Sequence, residues 1–499
     1  NKHGGTRPMV YFSGKYWFID ELDEAFVNEA VNTELYGKYA GQWVKNAYDP
    51  KYTVDGRYDE AAAQKDENLD IRLCMEMKAD GRVFKIERHV HNYPHCWRTD
   101  KPVLYYPLDS WFIRSTQARE QMIALNNTIR WQPESTGTGR FGKWLENLND
   151  WNLSRSRYWG TPLPIWRTED GKEELCIGSI EELFAEIDKA VEAGFMKANP
   201  WPNFKVGDFS EANYAPEVID LHRPYVDNII LCSPSGKPMR RELDLIDVWF
   251  DSGAMPYAQN HYPFENQDLP RTADFISEGV DQTRGWFFTL HAIHTMIEGE
   301  VAFKNVISNG LVLDKKGNKM SKRLGNAVDP FEALQKYGAD PIRWYMLTNA
   351  SPWENLKFDP EGVEEVRRKF FGTLYNTYSF FALYANVDGW TPDMQAAPEH
   401  LTEIDRWILS CLHSLIKDVT ANYEAYEPTK VGRAISDFLQ ENLSNWYVRL
   451  NRKRFWGGGL TDDKKAAYST LYTCLRTVAQ LMAPIAPFYA DQLYRDLAG

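Results

Sequence analysis

The chain has 499 residues, 43% of them apolar and 25% charged, with 18 Trp and 27 Tyr. That composition excludes a disordered or fibrous protein and leaves room for roughly two to four domains with ample cores. A net charge of −13 excludes a general polyanion binder, so any nucleic-acid contact has to come from local basic patches.

No run of about 18 apolar residues is present, so no helical membrane span is expected. The six cysteines stand far apart without a C-x-x-C pair, which points to free thiols in a reducing, cytoplasmic compartment. The first residue is Asn1 rather than Met, and a cut inside a longer protein is expected.

Residues 1–88 mix short strand-like pieces at 8–12 and 16–19 with an acidic helix-like run at 21–39 and a polar loop at 55–70. From 89 to 330 short apolar strands alternate with helical stretches, the pattern of an α/β domain with a parallel sheet. Strands are expected at 103–106, 111–113, 247–250, 274–277 and 305–308, an amphipathic helix at 181–193, and a helix apolar on nearly all sides at 284–298. Asp329 can cap a helix that Pro330 starts, within a connecting segment at 331–360. Apolar residues at three- and four-residue spacing over 361–383, 403–425, 428–450 and 462–482 predict an all-α bundle over 361–499. A linker is expected at 392–398.

Chemistry concentrates in a few places. Residues 315–323, Lys-Lys-Gly-Asn-Lys-Met-Ser-Lys-Arg, hold five cations around Gly317, Asn318 and Ser321. Lys319 and Lys322, three apart, can face one polyphosphate and stabilise charge growing on a pyrophosphate leaving group. A basic run by itself is more often a solvated loop.

About 40 residues upstream stands Glu278-Gly279-Val280-Asp281-Gln282, after a strand and before an apolar helix. In open α/β sheets ligands bind beyond the carboxyl ends of strands. Glu278, Asp281 and Gln282 can accept bonds from an ammonium or a ribose, Gly279 permits close backbone approach, and Trp286 can wall an apolar pocket. The competing explanation for Asp281 and Gln282 is a helix N-terminus, where the dipole favours acidic residues.

The stretch Asp247-Val248-Trp249-Phe250-Asp251 reads as a strand delivering Trp249 and Asp251 to a site. Arg155 and Arg157 can meet phosphate or the end of an RNA strand. His89, His91, His95 and Cys96 invite zinc, but no second ligand pair is present and no metal is expected. Arg449, Arg452, Lys453 and Arg454 interleave with Trp446, Tyr447, Phe455 and Trp456, a mixture suited to RNA backbone and unstacked bases.

Together these motifs resemble the class I aminoacyl-tRNA synthetases, and within them the isoleucyl-tRNA synthetases. Lys319-Met320-Ser321-Lys322-Arg323 is similar to the Lys-Met-Ser-Lys-Ser loop, with Arg in the last position. The supporting stretches are 91–98, 111–113, 154–164, 247–253, 278–287 and 319–326. The resemblance implies the second half of a Rossmann-type catalytic domain (89–330), the end of an inserted editing domain (1–88), a stem-contact connection (331–360) and a helical anticodon-binding domain (361–499).

It implies an ATP-dependent ligase that makes isoleucyl-adenylate and charges tRNA(Ile), with Mg2+ accompanying ATP and a monomeric parent. Lys319 and Lys322 are the implied catalytic residues, and Lys322, Lys319 and Ser321 the implied ATP contacts. Glu278, Gly279, Asp281 and Gln282 would hold the adenylate. Trp249 and Trp286 would line the side-chain pocket, and Arg449, Arg452, Lys453 and Arg454 would touch tRNA.

The His-Ile-Gly-His motif and the editing-pocket segments of the family are absent here, so the 499 residues alone are expected to be inactive. Isoleucyl and valyl synthetases illustrate that one methylene is not rejected by binding alone, so proofreading is expected of the parent. A valyl or leucyl enzyme and a non-catalytic RNA-binding module derived from a synthetase are the rival assignments.

Overall fold

The computed structural model describes residues 9–96, 99–321 and 325–498. The chain divides into a compact unit up to Ser110 and a second from Trp111.

The first unit is built from short pieces. The helix expected over 21–39 is two helices, Glu24–Ala30 and Thr33–Gly37. Each starts where a side chain takes over a backbone donor: Asp23 accepts from Phe26 N at 2.9 Å, and Asn32 from Leu35 N at 3.0 Å. The polar stretch 55–70 is ordered rather than a loop. Asp55 and Gly56, both at positive φ, turn a hairpin between Thr53–Val54 and Arg57–Tyr58, and helices Glu60–Ala63 and Leu69–Ala79 follow. No strand forms at 103–106; Pro102 makes only an isolated bridge to His95.

The second unit is organised on a parallel sheet of β1 (Arg130–Gln132), β2 (Ala273–Gly279) and β3 (Phe303–Asn309), in the spatial order β2-β3-β1. The register pairs Ile276 with Val306 and Val306 with Trp131, so these three share one face. They bury it against Phe287 and Leu290 of helix α2 (Trp286–Glu298).

The opposite face carries Phe275 and Arg130. Tyr426, at the corner after helix Glu403–Glu424, stacks on Phe275 with ring centroids 4.9 Å apart. Arg130 donates to Glu424 O and Ala425 O, and Gln132 to Ala425 O. Helix α2 ends at Gly299, whose φ of 75° is a conformation that favours glycine.

Before β2 the chain inserts a four-stranded antiparallel sheet in the order Glu174–Cys176, Ile165–Thr168, Pro238–Arg241, Ile230–Cys232. The amphipathic helix Ile180–Glu192 covers it through Leu183 and Ile187.

The stretch expected as a strand at 247–250 is instead helix α1 (Val248–Gly253). Asp247 is its N-cap, the Oδ1 atom accepting from Trp249 N at 3.3 Å.

Beyond β3, Asp329 caps helix Pro330–Tyr337 through Phe331 N and Glu332 N. Helix Ala339–Asn349 then joins the bundle, where Trp344 stacks on Phe370 at 4.1 Å. The bundle helices match their apolar stripes. Glu403–Glu424 opens on a Thr402–Asp405 capping box, and Asp462–Met482 coincides with its expected bounds. Pro428–Asp437 runs through a π-helical stretch, Phe438–Val448, into Arg449–Trp456.

Candidate active site

The carboxyl ends of β2 and β3 lie side by side, with Glu278 opposite Ser308 in the register. Glu278 is exposed, and among the described residues its carboxylate has no hydrogen bond or ion pair. A carboxylate without a partner at a strand end is available to a cationic or hydroxyl ligand.

After Gly279 the chain makes a 3-10 turn, Val280–Arg284, and enters α2. Gln282 Oε1 accepts from Trp286 N at 3.0 Å, so this side chain caps the helix, and its Nε2 donates to Asp281 Oδ2 at 3.3 Å. Of the three polar residues expected to hold ligand, Gln282 thus has both amide ends engaged, whereas Glu278 and Asp281 remain exposed.

Gly285 is buried in a close approach. A Cβ there would lie 2.7 Å from Gln282 Oε1 and 3.0 Å from the Trp249 ring. Trp249, 41% exposed, thus lies across the start of α2. Trp286 is half-buried and donates from Nε1 to Ser252 O at 3.0 Å. The two tryptophans expected to line a pocket are both tied to α1. Trp249 also borders a cavity of about 300 Å³ shared with Trp144, Trp151, Asp247, Arg284 and Phe288.

The basic loop leaves the carboxyl end of β3, the strand adjoining β2. Val312–Leu313 first pairs in parallel with Leu356–Lys357. Asp314 then organises the turn, its Oδ1 accepting from Lys316 N at 2.9 Å and Asn318 N at 2.8 Å. Gly317 supplies the positive φ the turn requires. The Asp314 carboxyl is held below its ordinary value, first by Asn318 N–H and then by the Asn326 amide.

Asn326 closes the loop. It donates to Asp314 Oδ2 at 3.0 Å and to Lys319 O at 3.2 Å, and it accepts from Ser321 N at 2.9 Å. Met320 packs beside the cluster of Tyr345, Leu356, Phe358 and Val363. Its backbone bonded and Met320 anchored, the loop carries Lys319 exposed at its rim. Lys322 and Arg323 lie outside the described residues. Asp314 is not singled out in the sequence, and Met320 and Asn326 enter there only as parts of the loop motif, without these bracing roles.

The bundle cations divide. Arg449, Arg452 and Lys453 are exposed and carry no ion pair among the described residues. Arg454, expected with them as an RNA contact, is 14% exposed and grips Asp405 with two bonds, at 2.8 and 2.9 Å. Asp405 is fully buried and also accepts from Tyr447 OH at 2.6 Å. A two-pronged bond to a buried carboxylate commits Arg454 to the fold rather than to a ligand. Arg155 is likewise committed, to Asp247 at 2.8 Å.

The histidines at 89, 91 and 95 are exposed, and among the described residues no group of three or more His, Cys, Asp or Glu could hold a metal ion. No helix among the described residues is long and apolar enough to cross a membrane.

Comparison with known proteins fits this geometry. Residues 405–499 match the family described as the anticodon-binding domain of tRNA ligase. The isoleucine--tRNA ligases of Bacteroides thetaiotaomicron and Porphyromonas gingivalis are 70% and 68% identical over the whole chain. The chain spans only 43% of the length of each of them.

The structure of Mycobacterium tuberculosis methionyl-tRNA synthetase bound by methionyl-adenylate shares the fold at 16% identity. Its TM-score is 0.55, over 81% of this chain and 66% of that one. Residues 60–359, more than half of the sequence, match the family described as tRNA synthetases class I (I, L, M and V), and the chain belongs to that family.

Proposed function

We propose that these residues form the sheet-end portion of the active site of an isoleucine–tRNA ligase, which activates isoleucine with ATP and transfers it to tRNA(Ile). The single observation that carries the proposal is the presence of two exposed charges of opposite sign on neighbouring strand exits. The carboxylate of Glu278, without a partner among the described residues, stands next to the last residue of β2, and the braced loop bearing Lys319 leaves the neighbouring β3. The likeness to proteins named isoleucine--tRNA ligase supports isoleucine as the amino acid.

In the first step the isoleucine carboxylate oxygen bonds to the α-phosphorus of ATP, and the bond to pyrophosphate breaks. Lys319, with Lys322, neutralises the charge that grows on the departing pyrophosphate, and Mg2+ accompanies ATP as its counter-ion. Glu278 accepts hydrogen bonds from the adenylate, with Gly279 allowing close approach and Asp281 beside it. Gln282 keeps the start of α2, and hence Trp286, in place. Trp249 and Trp286 form the apolar wall.

In the second step a terminal ribose hydroxyl of tRNA takes the acyl group and AMP leaves. Positioning and charge stabilisation suffice without a protein nucleophile. The exposed Arg449, Arg452 and Lys453 contact tRNA phosphates along the bundle.

The test is isoleucine-dependent ATP–pyrophosphate exchange in a ligase whose matching segment is replaced by these 499 residues. Exchange that is present there, falls about a hundredfold or more in Lys319→Ala, and is absent from the 499 residues alone supports the proposal. Full exchange by Lys319→Ala overturns the assigned role.

A further inference from the structure

We infer that Asp247 is a positioning residue that sets amino-acid selectivity by holding Trp249 and Trp286 as one wall, without itself touching the substrate; this rests on the isoleucine site proposed above. Asp247 is only 4% exposed, yet its carboxyl group receives three donors. Its Oδ2 accepts from Trp151 Nε1 at 3.0 Å and from Arg155 Nη2 at 2.8 Å, and its Oδ1 from Trp249 N at 3.3 Å. Arg155 is braced in turn by Asn152 O at 2.8 Å and Ser154 O at 2.9 Å. A buried carboxylate is tolerated only when its lone pairs are satisfied in this way, and such a set has little freedom to shift.

Asp247 fixes the first turn of α1, and the far end of α1 is fixed independently. At Gly253 a Cβ would come within 2.8 Å of Thr289, so α1 lies directly against α2. Between these anchors the six-residue helix acts as a strut. Trp249 extends from its first turn onto Gly285, and Ser252 O near its end accepts the Trp286 indole N–H. Both pocket walls are therefore tied to one element, and the first turn of that element, from which Trp249 projects, is held by Asp247. Discrimination between side chains that differ by a methylene depends on the placement of such walls. The phosphate chemistry is carried by Lys319 on a different loop. Disturbing Asp247 should therefore alter recognition of the amino acid and spare that of ATP.

The experiment uses the same chimeric ligase, with exchange measured over ranges of isoleucine, valine and ATP. For Asp247→Asn the expected result is a rise of about tenfold in KM for isoleucine. KM for ATP should stay within about twofold of the unsubstituted ligase, and the isoleucine-to-valine ratio of kcat/KM should fall. Trp151→Phe removes one donor while keeping the ring, and should shift the same two quantities in the same direction by a smaller factor. It keeps the inference testable where Asp247→Asn fails to fold.

A merely structural role would raise both KM values together or lower only the yield of active protein; either result, or unchanged KM and selectivity in both variants, would overturn the inference. Absence of isoleucine-dependent exchange in the unsubstituted chimera would instead overturn the parent proposal, and the inference with it.

Discussion

The helix bundle and the end of the parallel sheet use charge in opposite ways. In the bundle, two ionic pairs lie inside and are fully engaged. Arg454 grips Asp405 beside Tyr447, and Lys464 pairs with Asp388, which also accepts from Tyr468. At the sheet end, Glu278 and Lys319 are exposed, and the bonds nearby belong to the backbone that carries them. The difference teaches how to tell architecture from function in a charged sequence. Enclosed ions that satisfy each other hold the fold, whereas exposed ions on a braced frame wait for something else.

The sharpest way to break the comparison is to remove one member of an enclosed pair. Arg454→Ala leaves the Asp405 charge buried and alone and should cost about 3–5 kcal/mol in chemical denaturation of the chain, whereas the double replacement Asp405→Leu, Arg454→Met should recover most of that loss. Lys319→Ala should shift stability by less than about 0.5 kcal/mol in the same assay. Its cost should fall on activity, the predicted loss in exchange being about 10²–10³-fold.

Acid should separate the two regions next. Burial pushes the Asp405 carboxyl upward, but the bonds from Arg454, Tyr447 and Thr402 outweigh it, so the group stays below its ordinary value. A depressed folded value gives stability that is complete above the unfolded value of about 3.9 and is lost as pH falls through the folded one. Circular dichroism should therefore show the bundle losing stability steeply below about pH 4. Asp405→Asn should show a lower plateau and a shallower acid limb.

The smallest effect belongs to the surface cations. Arg452→Ala with Lys453→Ala should weaken tRNA binding modestly and reduce the slope of log affinity against log salt by about two. An unchanged slope would remove that stripe from the RNA path.

Much of this was legible in the residues. The helices over 403–424 and 462–482 show in their stripes because each is long enough for several turns and opens on a capping Thr402 or Thr461. The strand ending in Glu278 and the loop at Lys319 show because turn residues and charge follow apolar runs.

What stayed hidden depended on partners far along the chain. The stretch beginning at Asp247 alternates like a strand, and six residues are too few to display a helical period. Its cap is stabilised by Trp151 and Arg155, more than 90 residues earlier. Gln282 looks the same as a ligand holder and as a helix cap until Trp286 N is seen bonded to it. Arg452, Lys453 and Arg454 are indistinguishable in sequence, and only the rotation of the helix turns the third toward Asp405. The apolar residues at 103–106 found no neighbouring strand, and without a ladder they do not become one.

The corner at Tyr426 carries a mechanical consequence. Because it is clamped to the back of the sheet by the Phe275 stack and the Arg130 and Gln132 bonds, the rod of helices running from it keeps a set span from the rim where Glu278 lies. Bending at that joint would have to break a ring stack and three hydrogen bonds at once, so the bundle and the sheet move as one lever.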